Sequence, residues 1–528
     1  MFVTKTRLTL AFLALTLALL PARGAAQERR TLIRHGRVLD GTGNPWIRAD
    51  VLLQGDRIEA VGDLRDVQAD QVVDATGLYV APGFIDTHSH AGEGLATPGL
   101  SHGRPLLVQG LTTIFANPDG GGPVNLAEQR QQLLADGLGV NVAQFVSHGS
   151  VRAAVLGSDD RDPTPAEMER MKELVRRGME EGAWGMSSGT FYVPGFYSKP
   201  EEIQELAKIV ARYGGAYQSH YRDESTYSVG LIAAVDEVID VGRAAGIPAV
   251  LTHVKALGPF VWGYGAAIVK RVERAREEGV QVFADQYPYT ASATGLDAAL
   301  LPRWSQAGGR DSLLARMARP ADMARIHEAM VDNLARRGGA ARIQFRRYLP
   351  DPSIEGKLLG DLARERGKDP LAVAVDLIRG GSASIVSYNM DEGDVETLMV
   401  QPWTMTSSDG DLVPWGEGVP HPRSYGAFPR KIRVYVREKG VVGLASAVRS
   451  MTSLPALVYG MPNRGILRPG AAADLVVFDL DRVRDTAEYT DPHQLAEGMV
   501  WVFVNGAAAI SDGAFTDVRS GRVLQKGR

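Results

Sequence analysis

Two histidines one residue apart, His88 and His90, end the run Pro82-Gly83-Phe84-Ile85-Asp86-Thr87-His88-Ser89-His90. Residues two apart on a β-strand face the same side. An apolar stretch feeding this pair therefore presents two imidazoles side by side, as one metal ion needs. Further histidines end apolar runs at His220, after Ala216-Tyr217-Gln218-Ser219, and at His253, after Ala249-Val250-Leu251-Thr252. An acid, Asp409, closes another in Ser407-Ser408-Asp409-Gly410. Four imidazoles and a carboxylate at strand C-termini describe a metal-dependent hydrolase. Such donors suit Zn2+, one ion or two, with iron, manganese or cobalt as alternatives. The chain has no cysteine, so thiolate takes no part. Metal binding lowers the pKa of a coordinated water towards about 7. Asp409, hydrogen-bonded to that water, would take its proton and pass it to a leaving amine. His35, His327 and His493 lack this context and are expected to be packed or surface residues.

Cationic and phenolic groups follow the same strands. Arg222 lies two residues past His220, Lys255 two past His253, and Tyr287 follows the seventh expected strand. Arg423 and Arg430 lie in His421-Pro422-Arg423-Ser424-Tyr425-Gly426-Ala427-Phe428-Pro429-Arg430. Singly, each would be a solvated charge. At the rim of a metal site they would bind a carboxylate.

The elements that position these groups alternate apolar strands with amphipathic helices, the pattern of a parallel sheet. After the His-x-His strand, strands are expected at 112–117, 141–147, 183–188, 216–220, 249–253, 280–285 and 404–408, eight in all. Helices are expected at 164–181, 199–213, 229–245 and 267–278. The fold class is α/β, a (β/α)8 barrel whose site lies at the strand C-termini. Short strands and Gly-rich turns at 27–81 and again at 456–528 predict one small β-sandwich built from both ends. The barrel then spans 82–455, with a helical, Arg-rich insertion at 296–380 expected to cover the site. The segment 383–388 reads as one strand too many.

Composition excludes some functions. Charged residues are 23% of the chain and the net charge is −4 with no long basic run, which argues against a nucleic-acid partner. At the N-terminus, Lys5 and Arg7 precede an apolar run from Leu8 to Leu20, with Gly24-Ala25-Ala26 after it. This reads as a signal peptide over 1–26, cleaved to give a periplasmic or secreted protein with no membrane attachment. The apolar run is short of the roughly 20 residues of a membrane span.

Beyond the motifs already quoted, the chain carries Ser147-His148-Gly149-Ser150-Val151-Arg152, Ser188-Gly189-Thr190-Phe191-Tyr192-Val193-Pro194-Gly195, His220-Tyr221-Arg222-Asp223-Glu224 and Tyr287-Pro288-Tyr289. Near its end is Gly465-Ile466-Leu467-Arg468-Pro469-Gly470-Ala471-Ala472-Ala473-Asp474. With these motifs it resembles the amidohydrolase superfamily, and within it the D-aminoacylases, over nearly the whole mature length. The resemblance implies hydrolysis of small N-acyl amino acids, of D configuration, beside a free α-carboxylate. It implies His88 and His90 at one metal position, His220 and His253 at the other, and Asp409 as catalytic acid/base and metal ligand. Arg222, Lys255, Tyr287 and either Arg430 or Arg423 would recognise the carboxylate. Tyr192 and His148 join the expected substrate-binding set, and His148 or His253 would steady the developing oxyanion.

One departure stands out. The family pattern places a metal-binding Cys just past an Asn after the second strand. Here the segment is Asn117-Pro118-Asp119-Gly120-Gly121-Gly122, with Pro118 at the Cys position. Asp119 is the nearest acid, and the Gly-rich loop could turn its carboxylate to the metal; alternatively it caps a turn. A third arrangement is a mononuclear site of His88, His90 and Asp409. Rival functions are a cyclic-amide hydrolase or a dipeptidase on the same barrel, or a binding protein with a dead site. Cyclic-amide hydrolases often use a carboxylated Lys, and no Lys ends the fourth strand.

Overall fold

The computed structural model describes residues 29–527. The export segment expected at 1–26 lies outside these residues. Eight parallel strands form the barrel: β1 (Phe84–Asp86), β2 (Leu111–Ala116), β3 (Asn141–Gln144, resumed at Val146–Ser147), β4 (Gly185–Gly189), β5 (Ala216–His220), β6 (Ala249–Leu251), β7 (Val282–Gln286) and β8 (Thr404–Thr406). Every residue of these strands is buried, because helices cover the outer face and packed side chains fill the inner one. The ring closes past the strand ends: Asp409 N donates to His88 O and His90 N to Gly410 O.

The helices follow from local signals. Helix α1 (Pro165–Glu180) opens on a reciprocal cap between Thr164 and Glu167, with Pro at its first position. Helix α2 (Pro200–Ala211) buries Ile203, Leu206 and Val210 on the barrel, at three- and four-residue spacing. Each such buried aliphatic side chain contributes about 1.5–3 kcal/mol. Helix α3 (Leu231–Ala245) stops at Gly246, whose φ of 68° suits glycine. Helix α4 (Gly265–Glu277) completes the set expected from the periodicity.

Strands from both ends of the chain share one nine-stranded sheet. Tyr79–Pro82, which leads into β1, pairs antiparallel with Leu475–Phe478. The two ends thus brace the start of the strand that carries His88 and His90. Between β7 and β8 the chain leaves the barrel and builds a separate core. Its small sheet orders Ser292–Gly295, Ser384–Ser387 and Ile343–Arg347 antiparallel, so the surplus strand is the middle of this sheet. The longest helix there is α5 (Pro320–Arg336). Thr294, Arg337, Arg346 and Ser384 of this excursion line the cavity at the barrel mouth.

Candidate metal centre and active site

Six side chains meet where the strands end. His88, His90, Asp119 and Asp409 form one group of converging donors, and Asp119, His220 and His253 form a second, with all donor atoms of a group within 4.8 Å of one another. Asp119 belongs to both. Its Oδ1 lies 3.2 Å from His88 Nε2 and 3.5 Å from His253 Nε2; its Oδ2 lies 3.5 Å from His90 Nε2 and 3.7 Å from His220 Nδ1. The carboxylate next to the vacated Cys position therefore stands between all four imidazoles. His88 and His90 do not sit within the strand, which ends at Asp86; they lie on the turn beyond it.

Backbone strain holds the centre. Asn117, Asp119, His253 and Asp409 all have positive φ, at 64°, 54°, 36° and 51°. Non-glycine residues rarely adopt this region, and the strain is borne where packing over-determines the site. Asn117 is locked by two reciprocal amide bonds of 2.8 Å with Gln129, and its carbonyl accepts from Ser187 Oγ. Gly189 is required opposite this turn: a Cβ there would come within 2.1 Å of Asp119 O. Asp285 Oδ1 accepts from His253 N and Ser407 Oγ, and Asp86 Oδ1 accepts from Ser408 N. Each loop that carries a donor is thus tied to a neighbouring strand.

The donors fit a divalent cation. Both ring nitrogens of His88 and of His220, and Asp119 Oδ1, are buried without a hydrogen bond. Each bare buried polar atom costs about 1–3 kcal/mol. Burial opposes charge on His90 and His253, yet the surrounding carboxylates push His90 up to about 10 and His253 up to about 9. The cluster calls for positive charge at its centre. His88, His90 and Asp409 would hold one ion and His220 and His253 another, with Asp119 between them.

Glu224 joins the site, a residue to which its place in His220-Tyr221-Arg222-Asp223-Glu224 assigns no role. It is buried, with Oε1 2.5 Å from Lys255 Nζ and 3.2 Å from His253 Nδ1, and Oε2 3.6 Å from His220 Nε2. It stands on the outer side of both imidazoles, within polar contact of His253 Nδ1 and beyond hydrogen-bond reach of His220, in the position from which a carboxylate orients a metal-binding histidine. The available signal was an acid four residues beyond His220.

The cavity has a volume of about 790 Å³. Lys255, Tyr287, Tyr192 and Arg423 line it. Arg423 Nη1 pairs with Asp409 Oδ2, and its guanidinium lies 4.8 Å over the Tyr287 ring. The Tyr287 hydroxyl points at Met390 Sδ, 3.5 Å away. The Tyr192 ring packs edge-on against His220 and its hydroxyl reaches Thr294.

Three expected contacts are corrected by the geometry. Arg222 faces the helices behind the barrel, where Glu237 and the carbonyls of Phe196 and Ser198 take its guanidinium donors. Its two-residue offset from His220 carries it to the outer face because the strand has ended and the chain has turned. Arg430 is held by Pro288 O and Asp485, outside the cavity lining, which leaves Arg423 as the arginine at the site. His148 Nε2 donates to Glu202 Oε1 at 2.9 Å beneath the loop and does not reach the cavity, so of the two oxyanion candidates only His253 lines it. His35 and His493 lie elsewhere, against Asp74 and Tyr425.

Comparison with known proteins agrees with this architecture. Residues 71–509 match the amidohydrolase family. The chain is 35% identical to a D-aminoacylase of Alcaligenes xylosoxydans xylosoxydans over 516 residues, 94% of this chain and 97% of that protein. It is 34% identical to an N-acyl-D-glutamate deacylase of the same organism over 522 residues, 95% of this chain and 97% of that protein. Among solved structures, an N-acyl-D-glutamate deacylase from Bordetella bronchiseptica, complexed with zinc and a phosphonate mimic of the tetrahedral intermediate, superposes with a TM-score of 0.80. It is 33% identical and covers 94% of this chain and 100% of its own. From its fold, its donor cluster and these matches, the chain belongs to the amidohydrolase family.

Proposed function

We propose that this protein hydrolyses the amide bond of N-acyl-D-amino acids, releasing a carboxylic acid and a free D-amino acid. The observation that carries the reading is the placement of Lys255, Tyr287 and Arg423 beside the six-donor cluster in one cavity. Relatives named for the same chemistry on D-amino acids support the configuration.

When bound, a divalent ion supplies a Lewis acid for the amide carbonyl and acidifies water. The protein's own groups do the rest. Arg423 and Lys255 draw the substrate carboxylate to one wall, which fixes the amide over the centre and replaces a random encounter with an oriented one. Asp409 Oδ2 is tied to Arg423, so Oδ1, 3.2 Å from His90 Nε2, is the oxygen left to accept a proton from the attacking water. Burial raises the Asp409 carboxyl, but Arg423 and the histidines more than reverse this and hold it ionised as a base. The water oxygen bonds to the acyl carbon, the C–N bond breaks, and Asp409 returns the proton to the amine nitrogen. His253 has one ring nitrogen at Glu224 and the other at Asp119, so it serves the metal site and leaves no N–H for the oxyanion.

The cyclic-amide reading is weaker on this structure, since β4 ends at Ser188-Gly189 with no lysine to carboxylate. We further propose export, from the signal-like run at 1–26. Cell fractionation with N-terminal sequencing of the recovered protein checks it; an intact N-terminus in the cytoplasm rejects it. The activity is tested with metal-loaded protein on N-acetyl-D- and N-acetyl-L-amino acids, hydantoins and dihydroorotate. Turnover of the D-series is expected; turnover of cyclic amides alone would reject the proposal.

A further inference from the structure

We propose that the cavity holds a second anion subsite, at Arg337, and that the preferred substrates carry an acidic side chain in addition to the α-carboxylate. This deepens the hydrolase reading and rests on it.

Four cationic side chains line the cavity: Lys255, Arg337, Arg346 and Arg423. Three already face a carboxylate, at 2.5 Å for Lys255 and Glu224, 2.5 Å for Arg346 and Asp411, and 2.6 Å for Arg423 and Asp409. Arg337 has no ion-pair partner among the described residues. It is 1% exposed, and its Nε and Nη1 make no hydrogen bond. A second guanidinium adds to the charge. Arg303 lies 4.2 Å over the ring of Phe191, which also lines the cavity, and its Nη2 is likewise without a partner. Both guanidiniums approach the Tyr227 ring at 5.9 Å, the outer reach of a cation–π contact. Two like charges are thus buried around one ring, and neither makes an ion pair among the described residues, which is unfavourable unless an anion arrives.

The placement identifies the part of the substrate that meets Arg337. The loop after β6 carries Lys255, then Leu257, which lines the cavity, then Gly258. Gly258 runs so close to the end of α5 that a Cβ would fall 1.8 Å from Arg336 O. The Lys255 loop and the residue before Arg337 are therefore in contact. The subsite thus adjoins the loop that carries Lys255, the group assigned above to the α-carboxylate. The anion is therefore assigned to the amino-acid side chain, the substituent beside the α-carboxylate, and not to the acyl group.

The test compares kcat/KM of the full, metal-loaded protein for N-acetyl-D-glutamate and its neutral isostere N-acetyl-D-glutamine. A charged hydrogen bond made to one and not the other predicts a preference of about 10–100-fold for glutamate. In Arg337→Met that ratio should collapse towards unity. A wild-type ratio near one, or a ratio unchanged in Arg337→Met, overturns the subsite. Should Arg337→Met fail to fold, Arg337→Gln and the wild-type ratio decide. N-succinyl- against N-acetyl-D-leucine is the second arm: a preference for succinyl that depends on Arg337 would place the anion on the acyl half and overturn the side-chain assignment. If no N-acyl-D-amino acid is turned over, the hydrolase reading fails. Calorimetric binding of N-acetyl-D-glutamate against N-acetyl-D-glutamine still decides the subsite, equal affinities rejecting it.

Discussion

Arg423 Nη1 lies 2.6 Å from Asp409 Oδ2, with both side chains buried. The pair gives one carboxylate two distinct oxygens, one fixed by a guanidinium and one facing the imidazoles. It also joins the proton-transfer group to the wall that receives the substrate carboxylate.

Asp409→Asn keeps the shape and loses the base. We expect kcat to fall by about 10²–10⁴-fold, the usual contribution of a positioned general base. Metal content, measured by elemental analysis, should stay near that of the wild type, since five other donors remain. A kcat within tenfold of wild type would remove Asp409 from the proton path.

Asp119 contacts all four histidines, so its loss should reach the metal directly. Asp119→Ala is expected to lower metal content, or activity at saturating zinc, by about 10-fold or more. Asp119→Cys restores an anionic donor and should bind more metal than the alanine variant. Full metal and full activity in Asp119→Ala would contradict the geometry.

Substrate acids should react faster than their methyl esters, and Lys255→Ala or Arg423→Ala should narrow that gap. Arg222→Ala should leave the acid-to-ester ratio unchanged, because its guanidinium is used behind the barrel. Its effect falls on stability, about 2 kcal/mol, below the 3–5 kcal/mol of a fully buried pair because Glu237 is partly exposed. Kinetics on paired acid and ester substrates, with denaturant unfolding of each variant, separate the two roles.

Lys431 is buried with, among the described residues, only Thr406 Oγ1 and Ser450 Oγ as partners, and burial pushes its pKa down from 10.5 to about 7. Above pH 7 the folded amine is neutral while the unfolded one still binds a proton. Its cost to stability is therefore full below about pH 7 and is relieved as pH rises towards 10.5. Lys431→Met should raise stability near neutral pH by about 1–3 kcal/mol and flatten the rise between pH 7 and 10. Parallel curves for the two proteins across that range would refute it.

Much of this protein was legible in one dimension. Apolar runs ending in His88, His90, His220, His253 and Asp409 identify strands and donors together, because a barrel needs buried strands and its site needs polar groups where they stop. The Thr164–Glu167 cap and the spacing of Ile203, Leu206 and Val210 locate helices for similarly local reasons. What lay beyond reach was direction. Arg222 and Lys255 both sit two residues past a histidine, yet one turns outward to Glu237 and the other inward to Glu224. Past a strand end the alternation of side chains no longer applies, and loop packing alone decides. Asp119 shows the same limit: only a left-handed turn beneath Gly189 brings its carboxylate among four imidazoles. Arg337 shows it most plainly. It lies 84 positions from His253 in sequence, and only the excursion's own core brings it to the same cavity.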